Sequence, residues 1–516
     1  MLNKTSDSLF QLIKSLTKSE KKNFKLYATR NSSKTELRTV ALFDVLEKMN
    51  EYDETLLLKK FSDLPKQQLY NIKTRLYRQV LLSLRLIKDE GNIDIQLHEQ
   101  MDHARILYNK GLYLQSLKIL DTLKGFAKNY GQLSYLQQAL FFEKKIEGLH
   151  ITRSIHNRAD QLAAESDDVN ERLSTISHLS NLSLQLYSRY IQNGHARNLK
   201  DEEEIKNFFA QALSQKKAHN DDFYENLYLY QSYCWYAFIL QDFFLYYRYT
   251  QKWVNLFDSF PHMIEVESTH YLKGLHNLLE SHFYLSNHRG LDETLQKLED
   301  LCELDSIKNN ENNLIQGFVY LTTARINKHF MQGTFTQGLK IVPGIMSQLQ
   351  EYSLYMDSHR VLIFYYKIAS LYFGSGDSET CIDYLQKIIN WKTDLRIDLQ
   401  CYARLLHLIA HYELGNDELL EYLSKSVYRL MGKMENLSVV EEEIFNFLKR
   451  AFHIPPRQLE NEFRILLATL RQQKEVHKKT RAFTYLDIIS WLESKIERTP
   501  VQDVIRRNYL EQVKHK

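Results

Sequence analysis

Short turn-forming breaks recur along this chain at a nearly regular interval, and almost nothing else interrupts it. They fall at Lys110-Gly111, His150, Asn193-Gly194, Gln241-Asp242, Asn287-His288, Gln332-Gly333, Gly374-Ser375-Gly376-Asp377 and Gly415-Asn416-Asp417. Their separation, about 40 to 48 residues, leaves room for two helices of four to five turns and their connections. Between the breaks, apolar residues recur at spacings of three and four, the helical period. The 516 residues include only 6 Pro and 16 Gly, too few to punctuate a turn-rich β fold or a disordered linker. A chain this long exceeds one ordinary core, and at 44% hydrophobic residues it can build several. The expectation is an all-α chain with eight helix pairs over residues 95–432.

Helical regions flank the pairs. Residues 1–90 read as a basic domain, with a helix over Leu9 to Ser15, a second opened by the capping box Thr17-x-x-Glu20, and a third over Thr35 to Asn50 entered through Ser33-x-x-Glu36. A short segment at Glu54 to Phe61 leads to a long helix after Pro65. Residues 437–516 open with Ser438-x-x-Glu441, cross Pro455-Pro456, and finish in helices around Leu459 to Val476, Phe483 to Ile496 and Val501 to Val513. Terminal helices of a repeat chain cover its last apolar faces, so both regions are expected to act as caps. Pro343-Gly344 should kink a helix or end it early.

Three pairs carry a sharper pattern. Ala104, Leu107, Gly111, Tyr113, Ser116 and Leu120 place small, large, turn, aromatic, small and large residues in sequence. Ala369, Tyr372, Gly376, Cys381 and Leu385, followed by Ile388, repeat the scheme, and Gly333, Phe335, Gly338 and Val342 repeat part of it. Small residues suit the point where two helices cross, and large ones fill the flanks. Tyr412, Gly415, Asn416, Asp417 and Tyr422 fit after a one-residue deletion. On these residues the chain resembles the tetratricopeptide-repeat superfamily. The resemblance implies a right-handed α-solenoid of about eight tetratricopeptide-like pairs between helical caps. The aromatic run Tyr224, Tyr228, Tyr230, Tyr233, Trp235, Tyr236, Phe243, Phe244, Tyr246, Tyr247 and Tyr249 then reads as core between pairs.

Net charge is +3 and uneven. Residues 1–90 hold 18 Lys+Arg against 11 Asp+Glu, residues 449–516 hold 15 against 8, and the remainder holds 34 against 45. Basic ends around an acidic centre suit a solvated surface, an anionic partner, or copies meeting head to tail. Cys234, Cys302, Cys381 and Cys401 lie far apart with no Cys-x-x-Cys, which suits reduced thiols in a cytoplasmic protein. The amphipathic start, broken by Lys14, is unlike a secretion signal, and the richest apolar window, Tyr233 to Leu240, is too short to span a membrane.

No phosphate-binding glycine loop, dinucleotide fingerprint, His-Glu-x-x-His or Gly-x-Ser-x-Gly occurs. The expectation is therefore a non-catalytic protein without cofactor or metal. His407 and His411 share a helical face, but packing is the plainer role for them and for the looser group His276, Glu280 and His282. On the helix after Pro65, Arg75, Arg78 and Arg85 form a strip suited to phosphate, although Leu82 and Leu86 share it and Lys73 sits in the opposite apolar stripe. With the preceding short helix this loosely resembles a helix-turn-helix, a layout similar to bacterial regulators that join such a domain to tetratricopeptide repeats. By helical counting, Ile363, Tyr366, Ser370 and Phe373 should line a groove, with Tyr320, Thr323, Asn327 and Phe330 before them and Ala403, Leu406, Ala410 and Glu413 after. Aromatics beside small polar groups suit an extended peptide or a partner helix. The reading is an interaction scaffold or adaptor, with a peptide- or ligand-responsive transcriptional regulator as the alternative.

Overall fold

In the computed structural model, every regular element among the described residues is a helix. Those residues are 7–30, 34–62, 64–87, 92–150, 157–196, 198–215, 222–353, 355–391, 397–416, 418–420, 422–425, 443, 446–447, 450, 456–476 and 487–514. Contacts divide the chain into two units, Met1–Asn92 with Glu351–Met356, and Ile93–Gln350 with Asp357–Lys516.

The first unit contains α1 (Ser8–Ser15), α2 (Lys18–Ala28), α3 (Lys34–Lys48), α4 (Glu54–Lys60) and α5 (Lys66–Arg85). Phe10, Ile13, Phe24, Leu42, Phe43, Leu46, Leu57, Leu76 and Val80 form its core. The box at Thr17 closes as expected: the Thr17 amide donates to Glu20 at 2.7 Å and the Glu20 amide to Thr17 at 3.3 Å. The box at Ser33 lies outside the described residues. Lys73, in the apolar stripe of α5, pairs with Asp7 and donates to the Tyr52 hydroxyl at 2.9 Å. That lysine is a tie between α5 and the start of the unit.

The second unit begins with α6 (Ile93–Asn109), α7 (Tyr113–Asn129), α8 (Leu133–Leu149), α9 (Arg158–Asn193), α10 (Leu199–Gln215), α11 (Phe223–Ile239) and α12 (Phe243–Ser259). It continues through α13 (Met263–Val266), α14 (Ser268–Tyr284), α15 (His288–Cys302), α16 (Asp305–Lys308), α17 (Glu311–Gln332), α18 (Phe335–Gly338), α19 (Val342–Glu351), α20 (Ser358–Ser375), α21 (Ser378–Ile389) and α22 (Ile397–Glu413). It ends with α23 (Pro456–Val476), α24 (Ile488–Glu497) and α25 (Val501–Lys514). Packing is mostly between neighbours: α6 on α7, α7 on α8, α8 on α9, α11 on α12, α14 on α15, α20 on α21. The first helices α14, α17, α20 and α22 also pack one on the next.

One turn recurs at eight of these connections. A left-handed residue (Gly111, Gly131, Gln241, Ser286, Gly333, Gly376, Gly415 or Arg498) precedes a residue whose amide donates to the carbonyl five positions back, at 2.7 to 3.1 Å. This closes the helix by a Schellman motif and reverses the chain. At Asp242, Asn287 and Asp377 the same residue then caps the next helix through its side chain. At the crossing of α6 and α7, the fully buried Ser116 hydroxyl donates to the Ala104 carbonyl at 2.7 Å. Ala369 and Cys381, the corresponding pair in α20 and α21, are also fully buried.

The expected pairs need one correction, and much of the second helix expected for the eighth lies outside the described residues. The interval from His150 to Asn193 holds a single helix of 36 residues, α9. No Gly or Pro falls within it, so nothing in the sequence stops it. Its first half gives Leu162 and Val169 to a core with α6 to α8, and its second half gives Leu182 and Leu186 to a core with α10 and α11. Pro343 acts as expected: a 3₁₀ turn over Leu339–Ile341 separates α18 from α19.

Candidate functional site on the first helices

α17 and α20 are surrounded: α17 touches α14, α15, α18 and α20, while α20 touches α17, α18, α21 and α22. A helix with neighbours on so many sides has little face left for a ligand. The groove expected along them is therefore closed at most positions. Tyr366 is 2% exposed and Phe373 6%, both within the core that holds Leu362, Ala403 and Leu406. Tyr320, Thr323, Asn327 and Ser370 are likewise buried, and Ala403, Leu406 and Ala410 fully so. Counting along one helix leaves out the neighbouring first helix that covers these positions. Phe330 and Ile363 stay partly exposed. Glu413 is occupied, accepting from the Trp491 indole at 2.6 Å and pairing with Lys495.

The face carries a polar relay. Lys367 on α20 donates to the Asn327 side-chain oxygen on α17 at 2.6 Å. Asn327 donates in turn to Glu280 on α14 at 2.9 Å, and the Tyr284 hydroxyl reaches the same carboxylate at 3.3 Å. Toward the other ends of these helices, His276 stacks on Tyr320 with ring centres 4.2 Å apart, and the Lys273 ammonium lies 5.5 Å from the Tyr320 centre. Desolvation holds His276 well below the ordinary histidine range, reinforced by Lys273, Lys367 and Arg360. Arg360 is itself paired with Asp357 at 3.3 Å. Lys367 is taken by Asn327 and Arg360 by Asp357, while Lys273, over the Tyr320 ring, stands partly exposed. The sequence signal for this face was a lysine inside the apolar run Val361 to Phe373, where an unpartnered charge would be costly.

Three further histidines serve turns. Asn287 donates to His282 Nδ1 at 3.1 Å, Asn416 to His411 Nδ1 at 3.0 Å, and His329 Nδ1 meets the Thr334 hydroxyl at 2.8 Å. Each histidine closes the last turn of a first helix onto the residue five positions later. His407 packs edge-on to His411 at 4.5 Å. No group of three or more metal-binding side chains is assembled among the described residues. The recurring His-x4-Asn or His-x4-Thr spacing is the signal that sequence reasoning passed over.

On α5, Arg75, Arg78 and Arg85 are all exposed, as a phosphate strip requires. They share the outward surface with Tyr70 (64% exposed), Tyr77, Leu81, Leu82 and Leu86 (61%). No helix among the described residues is long and apolar enough to cross a membrane. Comparison with protein-family models and with curated proteins gives no match.

Proposed function

We propose that the chain is a non-catalytic interaction scaffold of the tetratricopeptide type, a solenoid that holds an extended, carboxylate-bearing segment of a partner protein. The observation that carries this reading is the partly exposed Lys273 over the Tyr320 ring on which His276 stacks, with Phe330 on α17 and Ile363 on α20 partly open. Extended peptides take affinity from such rows of apolar and charged contacts on helical repeats. A cytoplasmic setting fits the four free thiols. The test is a photo-crosslinking residue at Ile363 in the tagged full chain, with and without Lys273→Glu. A protein adduct that fades with Lys273→Glu is expected. An adduct indifferent to that charge, or none, overturns the carboxylate reading.

A second reading, a regulator whose α5 binds DNA, is favoured by the exposure of Arg75, Arg78 and Arg85. Phosphate contacts make affinity fall steeply with salt. Full-length protein that fails to shift duplex DNA at low salt sinks this alternative. So does an affinity unchanged by Arg75→Ala with Arg78→Ala.

A further inference from the structure

The three C-terminal helices divide into two tasks. α23 and α24 cover the end of the succession, where Phe463, Leu466, Leu470, Trp491 and Leu492 join Leu405, Leu406, Leu408 and Ile409 of α22 in one core. An end cap needs nothing more. α25 instead runs back to helices that already have neighbours on both sides, contacting α17 and α20. It lies across the recurring turns. Arg506 Nη1 donates to the Gln332 carbonyl at 3.2 Å, at the C-terminus of α17 where a cation is favoured. Thr336 donates to the Gln502 side chain at 2.9 Å. One connection earlier, Tyr509 sets its edge against His288 at 4.6 Å, and Gln512 meets the same imidazole at 3.3 Å.

The seat is shaped for a helix backbone. A Cβ on Gly333 would stand 2.7 Å from the Gln502 carbonyl oxygen and 2.9 Å from Arg506 Cα, and its φ of +62° is a second reason for glycine there. Yet α25 is held lightly: only Val504 and Ile505 of its residues are buried, while Leu510 and Val513 remain exposed. Close backbone fit with little apolar burial gives specificity without permanence.

We propose that the turns at Ser286–His288 and Gln332–Thr336 form a docking seat for an amphipathic helix. α25 fills it in the resting chain, and a partner helix with the same pattern, two adjacent branched apolar residues followed by arginine, takes it when α25 leaves. The occupant is identified by what already fits: Val504 and Ile505 inward, Arg506 on the end of α17, and a backbone pressed on Gly333. The seat shares no residue with the face built around Lys367, and its test uses none of that face, so it stands or falls independently of the scaffold reading.

The probe is a fluorescein-labelled peptide of residues 499–516, titrated by anisotropy into full-length protein. Wild type should bind it weakly, because α25 occupies the seat. The full-length variant Val504→Asp with Ile505→Asp should bind at least about ten-fold more tightly, since affinity scales with the fraction of open seats. Adding Gly333→Val should abolish that gain. Equal binding by wild type and the released variant overturns the proposal. Hydrogen exchange on wild type gives a reading that needs no variant: α25 amides should exchange faster than those of α17 and α20, and equal protection makes α25 part of the permanent core.

Discussion

Phe335 and Gly374 compete for one space: a Cβ placed on Gly374 would fall inside the Phe335 ring. The contact brings α18 onto α20, where these two helices pack. Gly374→Ala should therefore overpack the crossing and destabilise the chain by about 1 to 3 kcal/mol. Phe335→Ala in the same background should relieve that clash, so the double variant costs less than the two single changes together. Thermal melts of the four proteins measure the coupling, and simple additivity shows that ring and glycine do not meet.

Tyr366 and Phe373 are core residues, so each truncation to alanine should cost about 3 to 5 kcal/mol. That exceeds the roughly 1 to 3 kcal/mol expected for overpacking by Ala369→Leu. Denaturant unfolding of the three variants compares them directly. An unchanged midpoint for Tyr366→Ala with Phe373→Ala returns both rings to an open groove.

Glu143 is fully buried, holding Arg158 at 2.8 Å and pairing with Lys124. Removing one partner of a buried ion cluster strands the others, at a cost of about 3 to 5 kcal/mol. Glu143→Leu should lower the melting temperature sharply, and restoring volume without charge should not rescue it. Replacing Lys124 with Met in the same chain should recover part of the loss.

Burial holds the His282 imidazole down at about 4, and burial with His411 and Arg404 holds His407 at about 4. Both are neutral in the fold, whereas an unfolded histidine takes its proton near 6.5. The stability they contribute is complete above that value and drains away as pH falls from about 6.5 toward 4, by on the order of 3 kcal/mol for each. Melting temperature should fall over this window, and the slope should be shallower in His282→Gln with His407→Leu. An unaltered slope assigns the acid sensitivity to other groups.

Much of the helix order was legible because its determinants are local. The Thr17 box, the glycines at 111, 333, 376 and 415, and Pro343 each act within one turn of chain. Gln241 and Ser286 hold the same left-handed position without glycine, but flanking turn residues still marked them. The errors came from contacts distant in sequence. Whether Tyr366 faces water depends on Leu406 and its helix, 40 residues away. The Glu280–Asn327–Lys367 relay draws one residue from each of three helices, so no window along the chain contains it. The return of α25 to His288 spans more than two hundred residues and has no counterpart in periodicity.

The length of α9 bears on how such a chain can grow. The recurring turns, at Gly111 and Gly131 before α9 and from Gln241 onward after it, break the chain into short helices that can be added or removed between turns. Residues 158–193 do not allow this, because one helix serves two cores and any cut orphans both. α9 is thereby a fixed boundary: any change in the number of turn-linked helices has to fall wholly before it or wholly after it.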